Sequence, residues 1–296
     1  MNISNFFSVK SMISALVAIL LTFSQIAFSQ KKSLEKKNIV APTFKYDYPL
    51  NNPVNYTQTS KIIQNMDING QSMQTTVNSL TGLTIKSNGT TASDINLEVR
   101  IDTMAQTVDS PAGFTGGAIA EVAGKTFNIT IATDGKVKDM SEAQKVTYSN
   151  GGEAVTDMTQ VIYGYFPVLP SGKVTPGYTW TSSDSTNSKS PAVTMLGVVN
   201  SENKFEGMEQ FKGVNCAKIT SVITGSRVMK MKSQGMDITV SGPFTGDVVI
   251  YFAPEKGYFM KQVVTTKLKG NIDLSGQQNM SFPLEMDVTT VKETVK

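Results

Sequence analysis

A mainly β fold of the α+β class is what this sequence predicts: a curved antiparallel sheet or half-barrel with one or two central helices packed on its concave face. Three observations carry the expectation. Apolar and polar residues alternate over most of the chain beyond Asn55, as in Ile95-Asn96-Leu97-Glu98-Val99-Arg100-Ile101-Asp102. Turn-forming residues separate the alternating runs. One stretch, residues 141–166, changes to a helical period. Successive side chains of a strand point to opposite faces, so alternation gives each strand a dry face and a wet one. Such strands pair antiparallel, because parallel strands are buried on both faces and read as unbroken apolar runs.

The elements follow in chain order. Residues 1–29 read as a secretory signal peptide: Lys10 supplies the positive start, Met12–Phe23 is apolar except for Ser14 and Thr22, and Ala27-Phe28-Ser29 offers a cleavage site. The apolar run is shorter than the ~20 residues a spanning helix needs. The mature chain is therefore expected to be exported and not integral to a membrane. The periplasm is the expected compartment, with the exterior or the outer-membrane surface as the alternative. Residues 30–54 form a polar tail broken by Pro42, Pro49 and Pro53, pinned by Phe44, Tyr46 and Tyr48. Residues 55–296 form the β-rich domain, divided into a first half (55–140), a helical segment (141–166), a linker (167–177) and a second half (178–296).

Three turns set registers. Asn69-Gly70 suits a two-residue type I′ hairpin, since both residues tolerate positive φ, and it places Met66 opposite Met73 and Ile62 opposite Val77. At Asp134-Gly135 a three-residue loop, with Gly135 left-handed, sets Ile131 against Val137. Pro254-Glu255-Lys256-Gly257 joins Val248–Phe252 to Tyr258–Leu268. In the helical segment, Ser141-Glu142-Ala143-Gln144 fits a capping box. After Gly151-Gly152, the residues Val155, Met158, Ile162 and Tyr165 recur at helical spacing, and Pro167 and Pro170 end the run. Pro283, unable to donate to a ladder, predicts an edge strand. Strand–turn–strand devices at Phe127–Val137 and Val248–Met260 leave two readings open, a diverged duplication or the ordinary recurrence of hairpins.

Composition removes whole classes of chemistry. The chain has 296 residues, no His and one Cys. There is no imidazole base, no His-ligated zinc and no internal disulfide. Cys216, within Val214-Asn215-Cys216-Ala217, reads as a buried thiol. A formal charge of +3 gives no clustered basic face for nucleic acid. Glu98, Asp102, Glu285 and Asp287 alternate with apolar residues and so turn outward, where nothing desolvates one of them into a general acid. No calcium loop and no phosphate-cradling glycine loop stands out. No catalytic residue, metal or cofactor is expected.

Methionine is unusually frequent, at 15. Thioether side chains are flexible fillers of apolar space and line surfaces that accept varied partners. Here they are spread over many strands rather than grouped in close repeats. Met66, Met73, Met158, Ile162, Tyr165, Phe166 and Trp180 are the candidate ligand-binding residues, with Glu153–Phe166 as a helical lid.

The run Phe166-Pro167-Val168-Leu169-Pro170-Ser171-Gly172-Lys173-Val174-Thr175-Pro176-Gly177-Tyr178-Thr179-Trp180 resembles the P-x-x-x-V-x-P-G-x-x-W linker of uncharacterised exported bacterial β-rich proteins. The overall plan is similar to lipoprotein-carrier-like half-barrels, in which a curved sheet closed by a helix holds an acyl chain. That resemblance implies an exported, non-catalytic cell-envelope protein binding an apolar small molecule or lipid. The alternative is a periplasmic accessory subunit whose partner is an outer-membrane protein of a transport or secretion complex. A membrane barrel fits less well: the polar and apolar faces do not sort into girdled spans.

Overall fold

A computed structural model describes residues 42–68, 70–149, 155–189, 193–233, 236–276 and 279–295. The segment 1–29 read as a signal peptide, residues 30–41 of the polar tail, Asn69, Gly151-Gly152 and Glu153 lie outside the described residues. The strands are β1 (Val54–Ile68), β2 (Gln71–Thr90), β3 (Asp94–Ser110), β4 (Gly113–Ala118), β5 (Thr126–Ala132), β6 (Val137–Asp139), β7 (Thr147–Ser149) and β8 (Val155–Asp157). A one-turn helix, α1 (Thr159–Ile162), follows. The chain continues with β9 (Thr179–Lys189), β10 (Val193–Phe211), β11 (Val214–Ser233), β12 (Met236–Ala253), β13 (Tyr258–Ser275) and β14 (Met280–Val295).

Twelve strands form one antiparallel sheet in the order β6-β5-β3-β2-β1-β14-β13-β12-β11-β10-β9, with β4 beside β3, while β7 and β8 pair separately. The path has a simple logic. The chain meanders from β1 to one edge, crosses to the other edge through residues 140–178, and meanders back until β14 lies against β1. The two ends of the domain thus form the seam at the middle of the sheet, from Asn55↔Val295 to Met66↔Leu284.

The predicted registers are present. Met66 faces Met73, Ile62 faces Val77, and Ile131 faces Val137. Gly70 and Gly135 sit at φ +80° and +97°, where a Cβ is strained. At the β10–β11 turn Lys212 and Gly213 take φ 48° and 77°, both positive as a type I′ turn requires.

The sheet curls. Flat, β5 and β12 would stand six places apart in that order, about 29 Å at the ordinary strand spacing. Yet Tyr46 N–H donates to Thr133 O just beyond β5, and Asp47 N–H donates to Gly257 O in the β12–β13 turn, both at 2.8 Å. Adjacent amides of one chain lie only ~4 Å apart, so those two places in the sheet have been drawn together. Glycines permit the bend: a Cβ on Gly270 would stand 1.9 Å from Ser241 O, and one on Gly246 2.1 Å from Thr265 O. The sheet remains open at β6 and β9, which are not paired with each other.

The wet face is as expected. Lys267 pairs with Asp287 at 2.9 Å directly across β13 and β14, and Arg100 with Asp102 at 2.7 Å. These exposed pairs contribute little to stability.

Two expectations are corrected. The central helices over 141–166 reduce, among the described residues, to the single turn α1. The capping-box residues enter a 3₁₀ turn, Ala143–Lys145, and residues 155–157 pair as β8. The helical stripe fails because all four α1 residues are buried, with no wet face to balance a dry one; Asp157 Oδ1 accepts the Thr159 N–H at 3.0 Å, yet the helix stops after one turn. Pro283 does not mark an edge strand, since β14 lies between β13 and β1. Pairing with β1 begins only at Leu284, so Pro283 has a neighbour on the β13 side alone, where its missing N–H breaks no ladder to β1.

Candidate functional site

The inner face of the curl is built from one phase of the period-two alternation. On β1 that phase is Val54, Tyr56, Gln58, Ser60, Ile62, Gln64 and Met66, all buried. Following the registers from strand to strand sorts the face into three tiers.

The first tier is aromatic and fills the end where β1 begins. Tyr56 stacks on Phe259 at 4.6 Å between ring centres, Tyr165 meets Phe166 edge-on at 5.4 Å, and Phe44 meets Phe205 at 5.2 Å. The tail residues Phe44, Tyr46 and Tyr48 are buried in this cluster. Three of the tier's hydroxyls have partners: Tyr46 donates to Pro167 O at 2.9 Å, Tyr56 donates to Phe259 O at 2.8 Å, and the Tyr48 and Tyr56 hydroxyls share a bond of 3.1 Å. Burial holds the Tyr46, Tyr56 and Tyr165 phenols well above their ordinary pKa, so they stay neutral.

The third tier, at the opposite end, is rich in methionine. Met66 faces Met73, Met195 faces Met229, and Met231 faces Ile238. Met280 and Met286 lie on the same face, opposite Leu274 and Leu268. These residues are far apart in sequence, and long-range strand pairing gathers them.

Between the two lies a polar belt. One row runs Thr81, Gln58, Lys292, Gln262 across four adjacent strands and continues through the apolar Ile250, Ile219 and Phe205, the last of which reaches the aromatic tier. The next row holds Ser79, Ser60 and Thr290, with Ser60 and Thr290 hydroxyls 2.8 Å apart. Lys292 is 2% exposed. Its Nζ donates to Gly164 O at 3.0 Å and Tyr165 O at 3.2 Å, and lies 4.6 Å from the centre of the Tyr165 ring. Burial lowers its pKa from 10.5 to about 7. The register neighbours are not acids. Gln58 and Gln262 flank it, while Glu293 and Lys261 pair with each other at 2.9 Å on the outer face. Gln262 has neither amide atom hydrogen-bonded, and Gln58 Oε1, Thr266 Oγ1 and Tyr165 OH also lack partners.

A strap lies along this face. Gln160 Nε2 donates to Ser188 Oγ at 3.0 Å and Tyr163 OH to Asp184 Oδ2 at 3.3 Å, tying one end to β9, while Lys292 holds the other by its carbonyls. Buried Arg227 lies 5.7 Å from the Phe244 ring, and burial draws its pKa down to about 10.

The structure separates the residues that the sequence singled out. Tyr165 and Phe166 belong to the aromatic tier, and Met66 and Met73 to the methionine tier. Ten residues along β1 part Tyr56 from Met66, about 33 Å of strand. Met158 and Ile162 are buried in the strap, with Met158 N–H donating to Val146 O at 3.0 Å. Trp180 lies on the β9 edge, stacked 6.0 Å from Tyr178, with a buried indole N–H that has no partner. Sequence reasoning missed Gln58, Gln262 and Lys292. The signal was present: each is in phase with apolar neighbours, Lys292 with Leu284, Met286 and Val288, so alternation already placed it on the dry face.

Cys216 is buried in a small separate cluster with Ala253 and Met260, and burial raises its pKa to about 11. A cleft of about 1690 Å³ at the β1–β14 seam is lined by Pro49, Leu50, Thr57, Lys212, Tyr258 and Glu293, among others. Among the described residues no group of three or more Cys, Asp or Glu could hold a metal ion, and no helix is long and apolar enough to cross a membrane.

No protein-family model matches the sequence, and neither does any curated protein. Among solved structures, DynF from the dynemicin biosynthesis pathway of Micromonospora chersina is similar over 90% of this chain and 95% of its own, with 7% identity and a TM-score of 0.21.

Proposed function

We propose that the chain is an exported cell-envelope protein that holds an apolar ligand, a lipid or acyl chain, along the inner face of its half-barrel, and that it binds without catalysing a reaction. The observation that supports this most is the inner face itself. It combines a methionine-rich tier with a belt in which several buried polar atoms have no partner of their own. A wholly self-sufficient core pairs its buried polar groups. A face that leaves them unpaired beside deformable thioethers suits a molecule with one polar end and one apolar end.

The dimensions suit an acyl chain. From Lys292 to Leu284 is eight residues of strand, about 26 Å. One leaflet's chains span about 15 Å, half the hydrocarbon core of a bilayer. The strap over Met158–Phe166 takes the place of the lid: a ligand would share the inner face with it, entering between the unpaired edges β6 and β9.

Native mass spectrometry of the mature protein, purified from its own envelope, tests the reading. Co-purified lipid is the expected result, together with saturable uptake of a fluorescent fatty acid. Empty spectra and no uptake would overturn it.

A further inference from the structure

Resting on that reading, we infer that the ligand carries a single negative charge at its polar end, a carboxylate, and that Lys292 with Gln58 and Gln262 forms its head-group site. The three residues occupy one row on three adjacent strands, β1, β14 and β13. Directly opposed side chains on one face have Cβ atoms ~5 Å apart, close enough to converge on a common small group. The chemistry of the row is that of an anion receptor. An ammonium has three N–H donors. Two of those on Lys292 go to Gly164 O and Tyr165 O. The third has no acceptor oxygen among the described residues.

The flanking amides add to this. Gln262 Nε2 is a fully buried donor with nothing to bond, and the amide atoms of Gln262 and Gln58 Oε1 stand unpartnered in the same belt. Two oxygens of one carboxylate can take one N–H from Lys292 and one from Gln262 Nε2, while the Oε1 acceptors of Gln58 and Gln262 gain nothing from an anion. Such donors are costly to leave unpaired in a dry interior, so a ligand that pairs them gains selectivity over one that does not.

The charge count narrows the choice. A phosphate monoester carries nearly two charges and needs more than one buried cation. The belt offers one, because Arg227 lies in the row of Leu284 and Met66, eight residues along β14 from Lys292. Every other element packed on Lys292 presents a neutral group: Gln58 from β1, Gln262 from β13, and Gly164 and Tyr165 from the strap. An arriving carboxylate would be the first counter-charge that this amine meets. Its position also sets the ligand's direction, with the head in the polar belt and the tail toward the methionine tier.

The test uses the mature protein freed of lipid, with palmitate and hexadecanol as probes of equal chain length and different head. Wild type should prefer palmitate by roughly tenfold or more at pH 7, the worth of one charge-assisted hydrogen bond. In Lys292→Met the palmitate-to-hexadecanol ratio should fall to within threefold of unity, and in Gln262→Leu it should fall part of the way. Calorimetry of palmitate binding to wild type, repeated in buffers of different ionisation heat at pH 8, should report proton uptake as the amine is recharged. A wild-type ratio near unity, or an undiminished ratio in Lys292→Met, would overturn the head-group assignment while hexadecanol binding leaves the carrier reading standing. Failure of wild type to bind either probe would overturn both. If Lys292→Met does not fold, the proton uptake and the wild-type ratio decide the matter alone.

Discussion

Lys292 gives the protein a pH dependence of defined sign. In an unfolded chain its amine titrates at 10.5, and inside the sheet burial brings it to about 7. Between these values the unfolded state binds a proton that the native state lacks, so stability rises with pH. The cost of burying the charge is fully present below pH 7 and is relieved as the amine becomes neutral. Chemical denaturation of the protein should show a gain on the order of 1–2 kcal/mol between pH 7.5 and 9. Lys292→Met should abolish the rise and be the more stable protein at pH 6, because an apolar side chain of similar size replaces a buried, unpaired charge. Equal slopes in the two proteins would contradict this. The position was legible in part: alternation placed a lysine on the dry face. Its partners were not, since Gly164 and Tyr165 lie 127 or more residues away.

The hairpins show how far local chemistry reaches at the scale of elements. Gly70 and Gly135 both take positive φ, and both were recognisable as turn glycines. A Cβ on Gly70 meets nothing within 4 Å, whereas one on Gly135 would lie 2.5 Å from Pro167 O and 2.6 Å from the Tyr46 ring. Gly70→Ala should therefore cost about 1 kcal/mol, the strain of a left-handed alanine alone. Gly135→Ala should cost about 2–4 kcal/mol, because the β5–β6 turn is also the seat of the aromatic tier. Urea midpoints of the two variants would separate these values, and equal losses would show that the turn carries no packing role. Registers were readable because a hairpin's two strands are neighbours by construction. The helix was misjudged for the opposite reason. Val155, Met158, Ile162 and Tyr165 have helical spacing, but Val155 is exposed in β8 while Met158, Ile162 and Tyr165 are buried, and spacing says nothing about what stands opposite.

For the whole molecule, the seam between β1 and β14 is decisive. It joins residues such as Ser60 and Thr290, which are 230 apart in sequence. Sheets made of such non-local pairs form slowly, because loop closure must precede the contacts that reward it. Ending the chain before Met280 would leave β13 and β1 as long unpaired edges, and such edges aggregate. The truncated protein should be insoluble or oligomeric by light scattering. In the full chain, amide exchange should be slowest along β1, β13 and β14. A soluble, monomeric truncation would show that the two meanders fold without their seam. The sequence by itself determined which side each strand residue faces, where the chain turns, and that it holds no imidazole and no internal disulfide, because each follows from residue type or from neighbours along the chain. Only the tertiary structure decided that methionines from distant strands share one end, aromatics the other, and that Gln58, Lys292 and Gln262 stand in a single row. Period two fixes a side chain's face but carries no information about which strand lies next to it. That choice is made by pairing across the whole length of the chain.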